Sequence, residues 1–312
     1  MEKFKYTSPN VLLVTSRNPQ GTLTTAAEQG TAVEPTGIAH RGFAGVYPEN
    51  TVAAIEAAVT DSRATSVEID VMPTADGEVV VFHDDTLSRL TDAPPSVAGT
   101  NLWELAYDRI AGYDVLGTSQ SIPRLGDVLA AIPPEVTVNI ELKNPGSTEL
   151  RFAETLDEST LAAATDRWRE FVGRVVDIAT DGGHDLLFSS FYEGALAATR
   201  ELAPSVPIAS VFHNSVETGL ELSRRYDVEA VHPPWNMVTD AGLPIDAPVS
   251  GSFDDVDLVE MAHDEGRDVN AWTVTTWQQA AALAAAGVDG IIADYPGVCT
   301  PSERPDPDSI TQ

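Results

Sequence analysis

Short apolar runs set apart by helical periods begin at Thr36 and recur to the C-terminal region. Those that read as strands are Gly37–Ala39, Ser66–Val71, Val136–Leu142, Leu186–Ser189, Ile208–Phe212, Ala230–His232, Val269–Val274 and Gly290–Ile292, eight in all. Helical periods lie between most of them, at about 51–60, 148–180, 192–202, 216–226, 254–265 and 276–286, the last ended by Gly287. Strands that alternate with helices predict a largely parallel sheet. Eight of them favour an α/β fold of the (β/α)₈ TIM-barrel type, in which reactive side chains gather at the C-terminal strand ends. A doubly wound open sheet is the competing arrangement, but the chain has no GxGxxG or GxxxxGK phosphate loop to support it.

Two stretches break the alternation. Asp76-Gly77 suits a tight hairpin turn, and Glu78–Phe82 beyond it reads as an added strand. Residues 85–121, with Pro94-Pro95, several glycines and weak helical periodicity, read as a small insertion on the C-terminal rim before Ile122-Pro123-Arg124-Leu125 leads into a short helix. The barrel is therefore expected over residues 36–300. Residues 1–35, rich in Thr, Gly, Pro and Gln, read as an N-terminal arm or irregular cap, and 301–312 as a C-terminal tail.

Composition narrows the classes. A chain of 312 residues, 43% of them hydrophobic, can bury a sizeable core, and no run approaches the roughly 20 apolar residues of a membrane span. No secretory pattern follows Met1–Asn10, and the single cysteine, Cys299, excludes an internal disulfide and a four-cysteine zinc site. A cytoplasmic location is the expectation. The 48 acidic residues against 18 basic ones leave a net charge of -30, a field that repels nucleic acid and anionic membranes. Of the basic residues 15 are Arg and 3 are Lys, two of them at Lys3 and Lys5. Such an acidic, lysine-poor chain looks salt-adapted, haloarchaeal-like, with salt screening the self-repulsion. Its urea midpoint should rise between dilute buffer and about 2 M KCl at constant free metal; an equal or lower midpoint at high salt contradicts the salt-adapted reading.

Candidate chemistry sits at the strand ends. His40 and Arg41 follow the first strand; a period of two puts Glu68 and Asp70 on one face of the second, opposite Val67, Ile69 and Val71. The same alternation groups Val79, Val81 and His83, with Asp84 expected to point away. Glu141 and Lys143 are again two apart on the third strand, and Lys143 is the one lysine in the body of the chain. Glu68, Asp70 and Glu141 form a hard oxygen set that suits one divalent cation, Ca²⁺ or Mg²⁺, rather than zinc. A divalent ion with two histidines, an arginine and a lysine suits a phosphate ester, cations meeting phosphoryl charge and imidazoles moving protons.

In detail the segments His40-Arg41-Gly42, Pro48-Glu49-Asn50-Thr51, Glu68-Ile69-Asp70-Val71, His83-Asp84, Glu141-Leu142-Lys143, Ser190-Phe191, Asn270–Val274 and Asp289–Pro296, in that order, resemble the glycerophosphodiester phosphodiesterase family over about residues 36–300. The resemblance implies a TIM-barrel enzyme that hydrolyses small glycerophosphodiesters to glycerol 3-phosphate and an alcohol. It implies a divalent metal on Glu68, Asp70 and Glu141, an acid/base pair in His40 and His83, and phosphate contacts from Arg41 and Lys143. Phe191 and Trp272 are expected as apolar walls of the substrate pocket, or else as core. Glu49 and Asn50 are expected in a supporting role through capping or structural bonding, Glu49 bracing Arg41 or else approaching the metal, and Asp294 as a loop-bracing carboxylate. His184, His213, His232 and His263 read as structural, and Cys299 is not expected to be a nucleophile. A phospholipase D of the venom sphingomyelinase type and a noncatalytic phosphoester-binding barrel are the alternatives; metal-dependent turnover separates the latter.

Overall fold

Each of the eight alternating strand-like runs pairs on both sides in the computed structural model, which describes residues 34–61, 63–238 and 256–299. The expected N-terminal arm, except its last two residues, and the C-terminal tail lie outside the described residues. The strands are β1 (Thr36–His40), β2 (Ser66–Pro73), β3 (Val79–Val81), β4 (Thr137–Leu142), β5 (Leu186–Ser190), β6 (Ile208–Val211), β7 (Ala230–His232), β8 (Asp268–Val274) and β9 (Gly290–Ala293). Eight of them run parallel in the order β1-β9-β8-β7-β6-β5-β4-β2, and pairing of β1 with β2 closes the ring into a TIM barrel. β3 stands outside the ring, antiparallel to β2. The open sheet is thereby excluded.

Register does the first part of site building. His40 lies opposite Glu68, Glu68 opposite Asn139, and Asp70 opposite Glu141, so three strands set their polar residues side by side. The intervening Val67, Ile69, Val71, Val138, Ile140 and Leu142 join the apolar layer between strands and helices.

The surrounding helices are α1 (Val52–Thr60), α2 (Pro95–Ala98), α3 (Tyr107–Ile110), α4 (Leu125–Ala130), α5 (Glu158–Asp181), α6 (Glu193–Leu202), α7 (Val216–Tyr226), α8 (Leu258–Asp264) and α9 (Trp277–Ala286). α9 carries the full set of end signals: Thr276 and Gln279 form a capping box, and Gly287 closes it at φ 86°, a left-handed geometry that favours glycine. In α5 Trp168, Phe171, Val172, Val175 and Ala179 recur at helical spacing and are buried against the barrel. Trp168→Ala should destabilise the fold by about 3–5 kcal/mol in urea unfolding, because the ring is fully enclosed and leaves a cavity.

The expected helix from 148 starts only at Glu158. Asp157 accepts from the backbone of Ser159 and Thr160, a cap that defines a start inside the longer periodic stretch. Residues 148–157 instead form a rim loop, tied by Ala153 N–H to Phe191 O at 3.1 Å and by Leu156 N–H to the buried Glu193 carboxylate.

The added strand is shorter than the 78–82 read from the sequence. Val79 and Val81 pack into the barrel core, whereas Val80 and Phe82 pack into a second apolar cluster with Leu87, Leu102 and Ile110 of the insertion and Ile122 just past it. The hairpin before β3 is held by Thr74 N–H to Glu78 O at 2.9 Å and Gly77 N–H to Thr74 O at 3.0 Å, with Gly77 at φ 84°. No helix among the described residues is long and apolar enough to cross a membrane.

Candidate active site

β1 ends at His40 and the chain turns immediately, with Arg41 at φ 51° and Asn50 at φ 60°. Both positions are held from outside. Arg41 N–H donates to Glu68 Oε2 at 3.1 Å, and Asn50 both donates to Asp70 Oδ2 at 2.8 Å and accepts from Asp70 N–H at 3.3 Å. Left-handed geometry at two non-glycine residues is thus sustained by bonds to the acidic pair on β2.

Glu68, Asp70 and Glu141 offer carboxylate oxygens all within 4.8 Å of one another. Arg41 Nε lies 3.0 Å from Asp70 Oδ2, and Lys143 Nζ lies 2.7 Å from Glu141 Oε1 and 3.6 Å from Asp70 Oδ1. Burial and the charges of Asp70 and Glu141 push the Glu68 carboxyl well above its ordinary range. Burial acts the same way on Asp70, but Arg41 and then Lys143 outweigh it and hold that carboxyl well below. Despite these neighbours, Glu68 Oε1 and Asp70 Oδ1 are buried without a hydrogen-bond partner. Orphaned hard oxygens beside a third carboxylate fit a divalent cation of the Ca²⁺ or Mg²⁺ kind.

The two histidines are each oriented by a carboxylate. His40 Nδ1 lies 2.6 Å from Asp294 Oδ1, and His83 Nδ1 lies 2.6 Å from Asp84 Oδ1. An ionised carboxylate only accepts, so Nδ1 carries hydrogen and each ring keeps Nε2 for the cavity that both line. Asp294 is a brace, and what it braces is a histidine. Asp84 does not point away as strand alternation suggested: β3 ends at Val81, and past it the backbone is free to bring neighbouring side chains together.

Glu49 accepts from Arg41 Nη1 at 2.9 Å and from Arg89 Nη1 and Nη2 at 2.9 and 3.0 Å. Arg89 also donates through Nε and Nη2 to Asp84, each at 2.7 Å. Burial raises both carboxyls, yet the arginines win at Glu49 and His83 with Arg89 wins at Asp84, leaving each below its ordinary range. Such groups stabilise the fold above the unfolded carboxyl pKa and lose that contribution as pH falls through the folded one. Arg89→Met should therefore lower the urea midpoint at about pH 7, and its gap to wild type should narrow only well below the ordinary carboxyl range of about pH 4, as pH falls through the depressed folded values; no gap at about pH 7 would show that Arg89 stabilises neither carboxylate.

A cavity of about 290 Å³ opens above the acidic cluster. Phe191 and Trp272 form one wall, edge to face with centroids 5.6 Å apart. Phe152 extends it, stacked on Phe191 at 4.6 Å and 41% exposed. Nothing in the periodicity marks Phe152, since it lies in the rim loop. Asn139 and His232 line the same cavity. Burial pulls the His232 pKa down to about 3, so it stays neutral and its Nε2 sits 3.0 Å from Asn270 Nδ2. His184 and His263 are bound to Leu129 O and Asp289 elsewhere, and burial pushes the Cys299 thiol up to about 12. A wider groove of about 560 Å³ lies by the N-terminal strand ends at Thr137, Leu186 and Ala230; with Asp185, Glu229, Asp268 and no Lys or Arg in its lining it lacks a cation for an anion.

Residues 40–298 match the model of the glycerophosphoryl diester phosphodiesterase family. The chain is 30% identical over 261 residues to YhdW of Bacillus subtilis (strain 168), covering 83% of this chain and 94% of that protein. It is 28% identical over 267 residues to the glycerophosphodiester phosphodiesterase of Bacillus altitudinis, with the same coverage of 83% and 94%. Among solved structures it resembles an Oleispira antarctica phosphodiesterase in complex with the product sn-glycerol-3-phosphate, with a TM-score of 0.66, 26% identity, and coverage of 84% of this chain and 94% of that one.

Proposed function

Because the chain belongs to the glycerophosphoryl diester phosphodiesterase family and is a hydrolase of that family, we propose that it hydrolyses small glycerophosphodiesters to sn-glycerol 3-phosphate and an alcohol through a two-histidine, metal-assisted site. The observation that carries this reading is the convergence on one cavity of two carboxylate-braced histidines, two cations and an acidic trio with orphaned oxygens. The product bound to the Oleispira antarctica relative agrees in kind.

Arg41 and Lys143 supply positive charge beside the phosphoryl group, and the Phe191–Trp272 wall takes the carbon face of the glycerol moiety. His40, with Nδ1–H held by Asp294, uses its Nε2 lone pair to remove the proton of the attacking oxygen, that of water or of the adjacent glycerol hydroxyl. In the second case a cyclic phosphate forms, and water then opens it to sn-glycerol 3-phosphate with the histidine roles reversed. His83, held by Asp84 and charged before the step, gives its Nε2 proton to the departing alkoxide. The P–O bond to the alcohol breaks as that to the attacking oxygen forms, and the imidazoles exchange charge states. A divalent ion on Glu68, Asp70 and Glu141 would add Lewis-acid polarisation of a nonbridging oxygen.

The test is incubation with glycerophosphocholine, following sn-glycerol 3-phosphate by a coupled dehydrogenase assay, with and without chelator. Release of sn-glycerol 3-phosphate and choline, abolished by chelator and restored by Ca²⁺ or Mg²⁺, is expected; phosphocholine and glycerol as products, or full activity in chelator, would overturn the reading in its first or second part.

A further inference from the structure

Arg89 lies in the insertion, outside every strand and helix, with 48% of its side chain exposed. Its guanidinium nevertheless joins two carboxylates that serve different side chains of the cavity. Nε and Nη2 fork onto Asp84 at 2.7 Å each, and Asp84 Oδ1 is the atom that holds His83 Nδ1. Nη1 and Nη2 fork onto Glu49 at 2.9 and 3.0 Å, and Glu49 Oε1 also holds Arg41 Nη1. The result is one continuous chain, His83–Asp84–Arg89–Glu49–Arg41.

Asp84 follows His83 directly, on a segment that no strand ladder fixes. Its grip on the imidazole is therefore only as firm as its own anchorage. Arg89 provides that anchorage and ties it to the buried Glu49 on the barrel side. Two forks from one planar group require a guanidinium; an ammonium is a point charge and does not hold both carboxylates in this geometry.

We propose that Arg89 is a positioning residue that locks the His83 ring to the Glu49–Arg41 arm, fixing the proton-transferring nitrogen relative to the phosphate-facing guanidinium. The inference rests on the acid/base reading of His83 above. Small displacements of a reacting group lower turnover more than binding, so the effect falls on kcat.

The experiment compares wild type, R89M, R89K, D84N and R89M/D84N in two measurements. With glycerophosphocholine, R89M should lower kcat about 10- to 100-fold with KM within about 3-fold, R89K should recover little of it, and R89M should add less than about 3-fold in the D84N background, because the route to His83 is already cut. In long-range ¹H–¹⁵N NMR recorded at a pH where the ring is neutral, His83 should show one Nδ1–H tautomer in wild type and an averaged one in R89M, which also reports that the variant is folded. Wild-type kcat in R89K, losses of R89M and D84N that multiply in full, or unchanged His83 signals in R89M would each overturn the proposal. If wild type releases no sn-glycerol 3-phosphate, the functional reading fails by itself, and the NMR comparison still decides whether Arg89 holds the His83 ring.

Discussion

Replacing His40 or His83 by alanine should lower turnover of glycerophosphocholine by about 10²- to 10⁴-fold at saturating metal and substrate, the span that positioned proton transfer supplies. Each ring is held at Nδ1 by a carboxylate at 2.6 Å and lines the cavity, so each deletion removes a proton carrier with little change to the cavity walls. KM should move far less than kcat, and opposing acid and base roles should give a bell-shaped pH profile that loses one limb in each variant. An ester with a good leaving group, such as a nitrophenyl phosphodiester of glycerol, assigns the roles: the variant lacking the acid should be partly spared with it, because the departing phenolate needs no proton. Near-wild-type turnover by either alanine variant removes that histidine from the chemistry.

Glu68→Gln should weaken binding of Ca²⁺ or Mg²⁺ at least about 10- to 100-fold, since even partners one shell out from a metal are worth that much. Glu68 brings an orphaned oxygen to the trio and is the member whose carboxyl lies well above its ordinary range, through burial first and the charges of Asp70 and Glu141 next. A raised carboxyl retains its proton to higher pH, and a cation must displace it. Affinity should therefore fall as pH is lowered through the Glu68 titration, and binding should release protons, seen as buffer-dependent heat in calorimetry. In E68Q this part of the proton release should vanish together with the affinity. Identical affinity and proton release in the two proteins would refute Glu68 as a ligand.

The parts of the fold and of the candidate site that were legible in the sequence share a cause. Glu68 with Asp70, and Glu141 with Lys143, lie two apart on strands, and period two alone places such pairs on one face. Barrel closure followed from the number of strands and the helices between them. What escaped depends on approach in three dimensions. Asp294 lies 254 positions from the His40 ring it orients, and no local spacing announces that meeting. Arg89 meets both Asp84 and Glu49 only because the insertion folds back over the β1 loop. Phe152 sits in a stretch whose composition passes for helix until the Asp157 cap is recognised.

A strand of three residues with both faces apolar carries a consequence for error control. Val79 and Val81 belong to one interior and Val80 and Phe82 to another, so sliding β3 by a single position would exchange tenants between two oily compartments at little hydrophobic penalty. Side-chain polarity gives this strand no means of proofreading its own alignment. That safeguard falls to the Thr74–Glu78 hairpin, whose left-handed Gly77 and paired backbone bonds admit one alignment, and to the bridge between Val80 and Arg124. The address of His83 is thus written six residues upstream, in a turn that does not line the cavity.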